Sequence, residues 1–254
     1  MPDLDADRAF FDEHGWVVLR RVVPPAELER LRAATLELMP DARVPAASDG
    51  VPMLVRPALR HVDVQAWLAA EAPFRLAARL LGARGVRLLQ DALLVKPTGA
   101  DATLAWHRDA TYFGYLEPLD VVSVRLALGD ETPATGCMWV IDASHRWSQE
   151  RVGVRVTTPA FGADRVADGL GATDDGLRVP IVLGPGDVSL HHALTFHASF
   201  SNRGAESRRT LVTHVAADHC RVVYDRLPPE GRAWFPTDPD ARLDPGAFWP
   251  LPLA

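Results

Sequence analysis

Nine histidines are spread over 254 residues, and one of them, His107, stands two positions before a carboxylate in Trp106-His107-Arg108-Asp109. On an extended strand, residues i and i+2 project to the same side, so this pair could grip a single metal ion. With one distant histidine it makes a two-histidine, one-carboxylate set. Such a set leaves three cis positions open on Fe(II) for a co-substrate and dioxygen. A second pair, His61-Val62-Asp63, is expected to open a helix with Asp63 as N-cap; i, i+2 side chains diverge there, so it reads as structural. Downstream, Gly186-Asp187-Val188-Ser189-Leu190 turns into a strand expected to carry His197, followed by Ser199, Asn202 and Arg208. A guanidinium on the adjoining strand binds a carboxylate through two parallel hydrogen bonds. A metal triad beside such an arginine suits a dicarboxylate, 2-oxoglutarate.

The elements that must position these groups follow from periodicity. Asp7–His14 reads as a helix, Trp16–Leu19 as a short strand, and 26–38 as a helix with a leucine stripe at 28, 31, 36 and 38. Residues 40–60 look like a mobile loop, and Val64–Leu81 like one amphipathic helix stopped by Gly82. Beyond Gly82 the pattern turns to short strands at Val86–Lys96, Val121–Leu128, Cys137–Ile141, Asp187–Leu190 and Thr210–Ala216, separated by Gly, Pro, Asn and Asp. Helices first and strands after, without regular alternation, predict one α+β domain with helices buttressing a β sandwich or barrel. Its expected parts are a helical buttress with an edge strand (1–82), the β core (83–224) and a packed aromatic tail (225–254). Residues 159–180 are expected to cross one mouth of the barrel.

Composition narrows the function. With 48% hydrophobic and 24% charged residues the chain has enough apolar surface to fold, which excludes disorder as its main state. Net charge is −6 and no dense Lys/Arg run occurs, which argues against a nucleic-acid partner. Two distant cysteines build neither a disulfide framework nor a thiolate zinc site. No apolar run approaches the roughly 18 residues of a membrane span, and the first residues lack a secretory pattern, so a cytoplasmic location is expected. Walker, Gly-x-Gly-x-x-Gly, His-Glu-x-x-His and Gly-x-Ser-x-Gly motifs are all missing.

Taken in order, the segments 11–19 (Phe-Asp-Glu-His-Gly-Trp-Val-Val-Leu), 106–109, Thr135-Gly136-Cys137-Met138, Ala143-Ser144-His145-Arg146, His197–Asn202 and Arg208 carry a resemblance. The chain resembles the phytanoyl-CoA dioxygenase family of non-haem Fe(II), 2-oxoglutarate-dependent oxygenases. The resemblance implies a double-stranded β-helix (a cupin-like jelly roll) with His107, Asp109 and His197 on iron. It also implies Arg208 on the distal carboxylate of 2-oxoglutarate, with Ser199 assisting and Gln90 as a polar contact. Gln90 would share its strand face with Ala92, Leu94 and Lys96. Related halogenases carry Ala or Gly in place of the carboxylate, so the resemblance and Asp109 imply hydroxylation, desaturation or ring formation on a small organic molecule of specialised metabolism.

Two departures stand out. Family members often carry Trp where this chain has Arg125, which alternation puts beside Ser123 on the barrel-lining face; contact with an anionic group on substrate or co-substrate is expected there. Ala143-Ser144-His145 replaces a common Pro-Gly-Ser-His. His191 and His192 compete for the third ligand position, but the Asn and Arg spacing favours His197. His214 shares the Arg208–Thr210–Val212 face and reads as a satisfied core histidine; Tyr112 and Trp147 are candidate substrate contacts. Rival readings are a non-catalytic cupin-like binding protein, which the intact triad and Arg208 disfavour, and a hydrolytic zinc site, which leaves Arg208 without a role.

Overall fold

A computed structural model of the chain describes residues 4–44, 51–69, 72–148 and 177–227. The strands, in chain order, are β1 (Trp16–Leu19), β2 (Met53–Val55), β3 (Val86–Lys96), β4 (Leu104–His107), β5 (Leu116–Glu117) and β6 (Val121–Ala127). They continue with β7 (Met138–Ile141), β8 (Arg178–Pro180), β9 (Val188–His192), β10 (His197–Ser199), β11 (Arg208–Ala217) and β12 (Arg221–Val222). A six-stranded sheet runs β1-β9-β6-β11-β3-β2 and a four-stranded sheet runs β4-β10-β7-β8, while β12 and β5 form a small ribbon. All of this pairing is antiparallel. From β3 to β11 the chain shuttles between the two large sheets, which is the double-stranded β-helix.

Each face of the six-stranded sheet has its own chemistry. On β6 the side chains of Val122, Val124 and Leu126 join the main hydrophobic core, together with Leu93 and Val95 of β3, Val188 and Leu190 of β9, and Leu211 of β11. The helices α1 (Leu4–His14), α2 (Pro25–Leu38), α3 (Val62–Ala69) and α4 (Ala72–Leu81) cover that face through Phe11, Leu28, Leu31, Val64, Trp67 and Leu80. Fully burying a side chain of this size is worth about 1.5–3 kcal/mol. The intervening residues (Gln90, Ala92, Leu94, Lys96, Arg125, His191, Arg208, Val212 and His214) point instead into a cavity. A bulge keeps that alternation aligned: His214 lies opposite Gln90 but Val215 opposite Leu88, so the register steps over Leu89.

Several expectations need correction. The helix expected over 64–81 is two helices, with Pro73 suited to the first turn of the second. The segment 40–60, expected as a loop, contains β2, whose Met53, Leu54 and Val55 pair with Leu94, Leu93 and Ala92. It also holds 3₁₀ turns at Met39–Asp41 and Pro57–Leu59. Backbone hydrogen bonds along β3 account for this order, which a Pro/Ala/Gly-rich composition hides. Asp63 lies inside the first turn of α3 rather than at its cap, and its N–H donates to His61 Nδ1 at 3.2 Å. In α2, Leu36 is exposed while Ala34 and Thr35 are buried, because the packed stripe follows 28, 31, 34/35 and 38. The strand after Gly186 ends at His192; His197 opens β10 in the other sheet. Ala143 adopts a left-handed backbone at φ 54°, so the departure from Pro-Gly carries strain of about 1 kcal/mol. The expected barrel-mouth excursion at 159–180 lies outside the described residues except for its last four, which include β8; the tail beyond 227 lies outside them too. Among the described residues no helix is long and apolar enough to cross a membrane.

Candidate metal centre

His107 ends β4 and His197 opens β10, and the antiparallel register places them directly opposite one another. Arg108 is extended, at φ −124° and ψ 133°, so Asp109 projects to the same side as His107. Alternation sends Arg108 the other way, over the ring of Phe196 at 5.0 Å. One ligand atom from each of His107, Asp109 and His197 lies within 4.8 Å of the others. The Nε2 atoms of the two histidines sit 3.8 and 3.5 Å from Asp109 Oδ1.

Hydrogen bonding settles which nitrogen faces the centre. His107 Nδ1 lies 2.8 Å from Ala105 O, and His197 Nδ1 lies 3.0 Å from Thr195 O. A carbonyl only accepts, so each Nδ1 carries the proton and each Nε2 presents a lone pair to a cation. Burial, with His107 alongside, drives the His197 pKa well below the ordinary imidazole value, so the ring stays neutral, as a metal ligand must be. The far oxygen of Asp109 is also held: Oδ2 accepts from Ser123 Oγ at 2.5 Å and from His191 Nε2 at 3.1 Å. Burial alone would raise the Asp109 pKa, but His197, His191 and His214 outweigh it and hold the carboxyl well below its usual range. Since the Ser123 proton goes to Asp109, His214 Nδ1 donates to Ser123 Oγ at 2.8 Å. Two neutral imidazoles and a carboxylate with one oxygen free fit a divalent first-row metal.

The centre opens on a cavity of about 340 Å³ between the sheets, with mostly apolar walls that include Met53, Leu94, Leu104, Phe113, Met138 and Val212. Gln90, Arg125, Ser199, Arg208 and Tyr112 also line it. Ser199 Oγ and Arg208 Nε are buried there with no hydrogen-bond partner among the described residues. Leaving a buried donor unsatisfied costs about 1–3 kcal/mol, so two such atoms in one cavity indicate a ligand that completes them.

A family model described as phytanoyl-CoA dioxygenase (PhyH) matches residues 11–210. The chain belongs to this family. Its PhyH relatives include the phytanoyl-CoA dioxygenase domain-containing protein 1 of Danio rerio, 33% identical over 132 residues, or 50% of this chain and 44% of that protein. The chain thus spans about half the length of the curated relatives it matches. Among solved structures, the non-haem α-ketoglutarate-dependent carbocyclase SnoK from nogalamycin biosynthesis shares the fold at a TM-score of 0.79 and 23% identity, covering 96% of this chain and 94% of that one. EctD from S. alaskensis, crystallised with 2-oxoglutarate and 5-hydroxyectoine, matches at a TM-score of 0.65 and 22% identity over 85% of this chain and 77% of that one.

Within this PhyH fold the structure brings together most of the residues singled out in the sequence. His107, Asp109 and His197 converge, and Gln90, Ser199, Arg208, Arg125 and Tyr112 share the cavity. Trp147 does not line it: the turn at Ser144–Arg146 carries it to a separate cluster, where its ring packs 5.7 Å from Phe196. His191, weighed as a rival ligand, instead braces Asp109. His214, read as a core histidine, is satisfied through Ser123 yet also lines the cavity. Glu131 escaped notice altogether. It is fully buried against Arg208 at 2.6 Å and Arg125 at 3.1 Å. The one signal for it was an arginine on an inward strand face, which demands a counter-charge without saying which carboxylate supplies it.

Proposed function

We propose that this protein is an Fe(II)- and 2-oxoglutarate-dependent oxygenase that oxidises an unactivated C–H bond of a small organic molecule, by hydroxylation, desaturation or ring formation. The observation that carries this reading is the convergence of His107, Asp109 and His197 on the wall of a largely apolar cavity. Membership of the PhyH family supports it. Iron held there would supply the oxidising chemistry with dioxygen and 2-oxoglutarate, and the presence of Asp109 disfavours halogenation. A role in natural-product biosynthesis is part of the proposal.

The chain's own residues do the rest. The carbonyls of Ala105 and Thr195 fix the two imidazole tautomers, so no proton has to leave when metal binds. Ser123 and His191 occupy Asp109 Oδ2 and leave Oδ1 for the metal. Arg208 and Ser199, with their unpartnered buried donors, would receive the distal carboxylate of the co-substrate, and Gln90 would contribute a polar contact. The apolar walls exclude water, which strengthens every polar contact inside. Tyr112, part-exposed at the rim with its ring 6.4 Å from that of His107, would meet the substrate.

The test is succinate formation from 2-oxoglutarate with Fe(II), dioxygen and a panel of candidate substrates. Metal-dependent succinate release that Asp109→Ala abolishes supports the reading. Metal binding with no co-substrate affinity and no succinate under any condition would overturn it in favour of a binding protein of the same fold.

A further inference from the structure

Glu131 plays no part in the chemistry above, yet both guanidinium groups of the cavity converge on it. Its Oε2 accepts from Arg208 at 2.6 Å and from Arg125 at 3.1 Å, and its Oε1 accepts from Thr210 Oγ1 at 2.5 Å. Arg125 and Arg208 line the cavity and Glu131 does not, so the carboxylate stands behind the two cations. Its own position is set by the backbone: Glu131 exchanges two hydrogen bonds with Leu183, at 2.8 and 3.0 Å. Burial would raise its pKa, but Arg208 and Arg125 outweigh that and keep it ionised.

Two guanidiniums against one carboxylate leave a positive excess in a buried place. Lys96, the chain's only lysine, registers that excess: its Nζ donates to the carbonyls of Ala102, Ser199 and Phe200, at 2.6, 3.2 and 2.6 Å, with no carboxylate among those partners, and burial together with Arg208 and Arg125 lowers its pKa to about 7. Excess buried charge is costly unless an anion completes it. Beside it lie the unpartnered Arg208 Nε and Ser199 Oγ. We propose that Glu131 is a positioning residue for the co-substrate. It holds Arg125 and Arg208 side by side, so that two guanidiniums rather than one receive the distal carboxylate of 2-oxoglutarate. The inference rests on the 2-oxoglutarate reading. Its physical opposite, Glu131 competing with the ligand for the same guanidiniums, predicts an effect of opposite sign.

The experiment is calorimetric binding to protein loaded with Zn(II), which supports no turnover, using two probes. 2-Oxoglutarate reaches both the metal and the cationic end; oxalate chelates the metal but has no distal carboxylate. In Glu131→Gln the dissociation constant for 2-oxoglutarate should rise at least tenfold while that for oxalate stays within about threefold. Arg125→Lys, which keeps the charge but loses the planar fork, should shift 2-oxoglutarate in the same direction by a smaller factor. If Glu131→Gln does not fold, Glu131→Asp takes its place, with several-fold weakening for 2-oxoglutarate alone. Unchanged or tighter 2-oxoglutarate binding in the Glu131 variant, with oxalate unaltered, would overturn the positioning role. A wild-type protein that binds oxalate but not 2-oxoglutarate would overturn the co-substrate reading itself.

Discussion

The two ends of the cavity are assembled by different means. At the metal end, backbone geometry does most of the work: His107 and His197 face each other across a strand pair, and main-chain carbonyls set both tautomers. At the cationic end, side chains hold side chains, with Arg125, Arg208 and Thr210 gathered on Glu131. The first construction tolerates changes in neighbouring side chains, because strand register places the ligands. The second depends on each member, because removing one leaves a buried charge exposed to the others. Ser123 and His191 are where the metal end borrows the second method, through side-chain contacts to Asp109 Oδ2.

Substitutions can break or sharpen this contrast. The largest effect is expected for Asp109→Ala, which removes a ligand outright: succinate formation should vanish and iron retention fall sharply, measured by metal content after desalting. Next comes Arg208→Ala. A charge-assisted contact is worth on the order of 1.5–3 kcal/mol, so the 2-oxoglutarate requirement should rise roughly 10- to 100-fold while metal content is kept. If Arg208→Ala also lost metal, the two ends would not be independent. Ser123→Ala tests the borrowed device, and metal affinity should drop about tenfold, read by chelator competition. Full retention would show that backbone placement alone orients Asp109.

The smallest functional effect is expected at Asp187, which does not line the cavity. Asp187 accepts hydrogen bonds from Arg20 at 2.7 Å, Arg21 N–H at 2.8 Å and Gly184 N–H at 2.9 Å, fixing the turn before β9. Burial would raise its pKa, but Arg20 and the two backbone donors lower it overall. A carboxyl depressed in the folded state stabilises above its unfolded value, near 4, and loses that contribution as pH falls through the folded one. Asp187→Asn should therefore destabilise by about 1–3 kcal/mol at neutral pH, with the gap from wild type closing in acid, and leave 2-oxoglutarate affinity unaltered. A thermal melt series across pH checks the sign.

Much was legible in the linear chain because its signals are local. Period-two alternation marked β3, β6 and β11 and put Gln90, Arg125, Arg208 and His214 on one inner face. The i, i+2 spacing marked His107 and Asp109, and the ordered motifs marked the family. Other features were legible only in part. The edge strand β2 was hidden in a loop-like composition, because it exists only through pairing with β3. Trp147 was read as a cavity residue from its nearness in sequence, and a turn takes it elsewhere.

Residue types and periods by themselves determined which groups could act as ligands and which strand faces are polar, since both depend on neighbours two to four positions away. Tertiary structure alone decided that His197 crosses to the sheet of His107, that His191 and Ser123 close on Asp109, and that Glu131 binds two arginines. Those contacts join residues as much as 90 positions apart (His107 and His197) and depend on how two sheets stack. No local preference encodes that, because the free energy of such contacts exists only once the chain has closed around them.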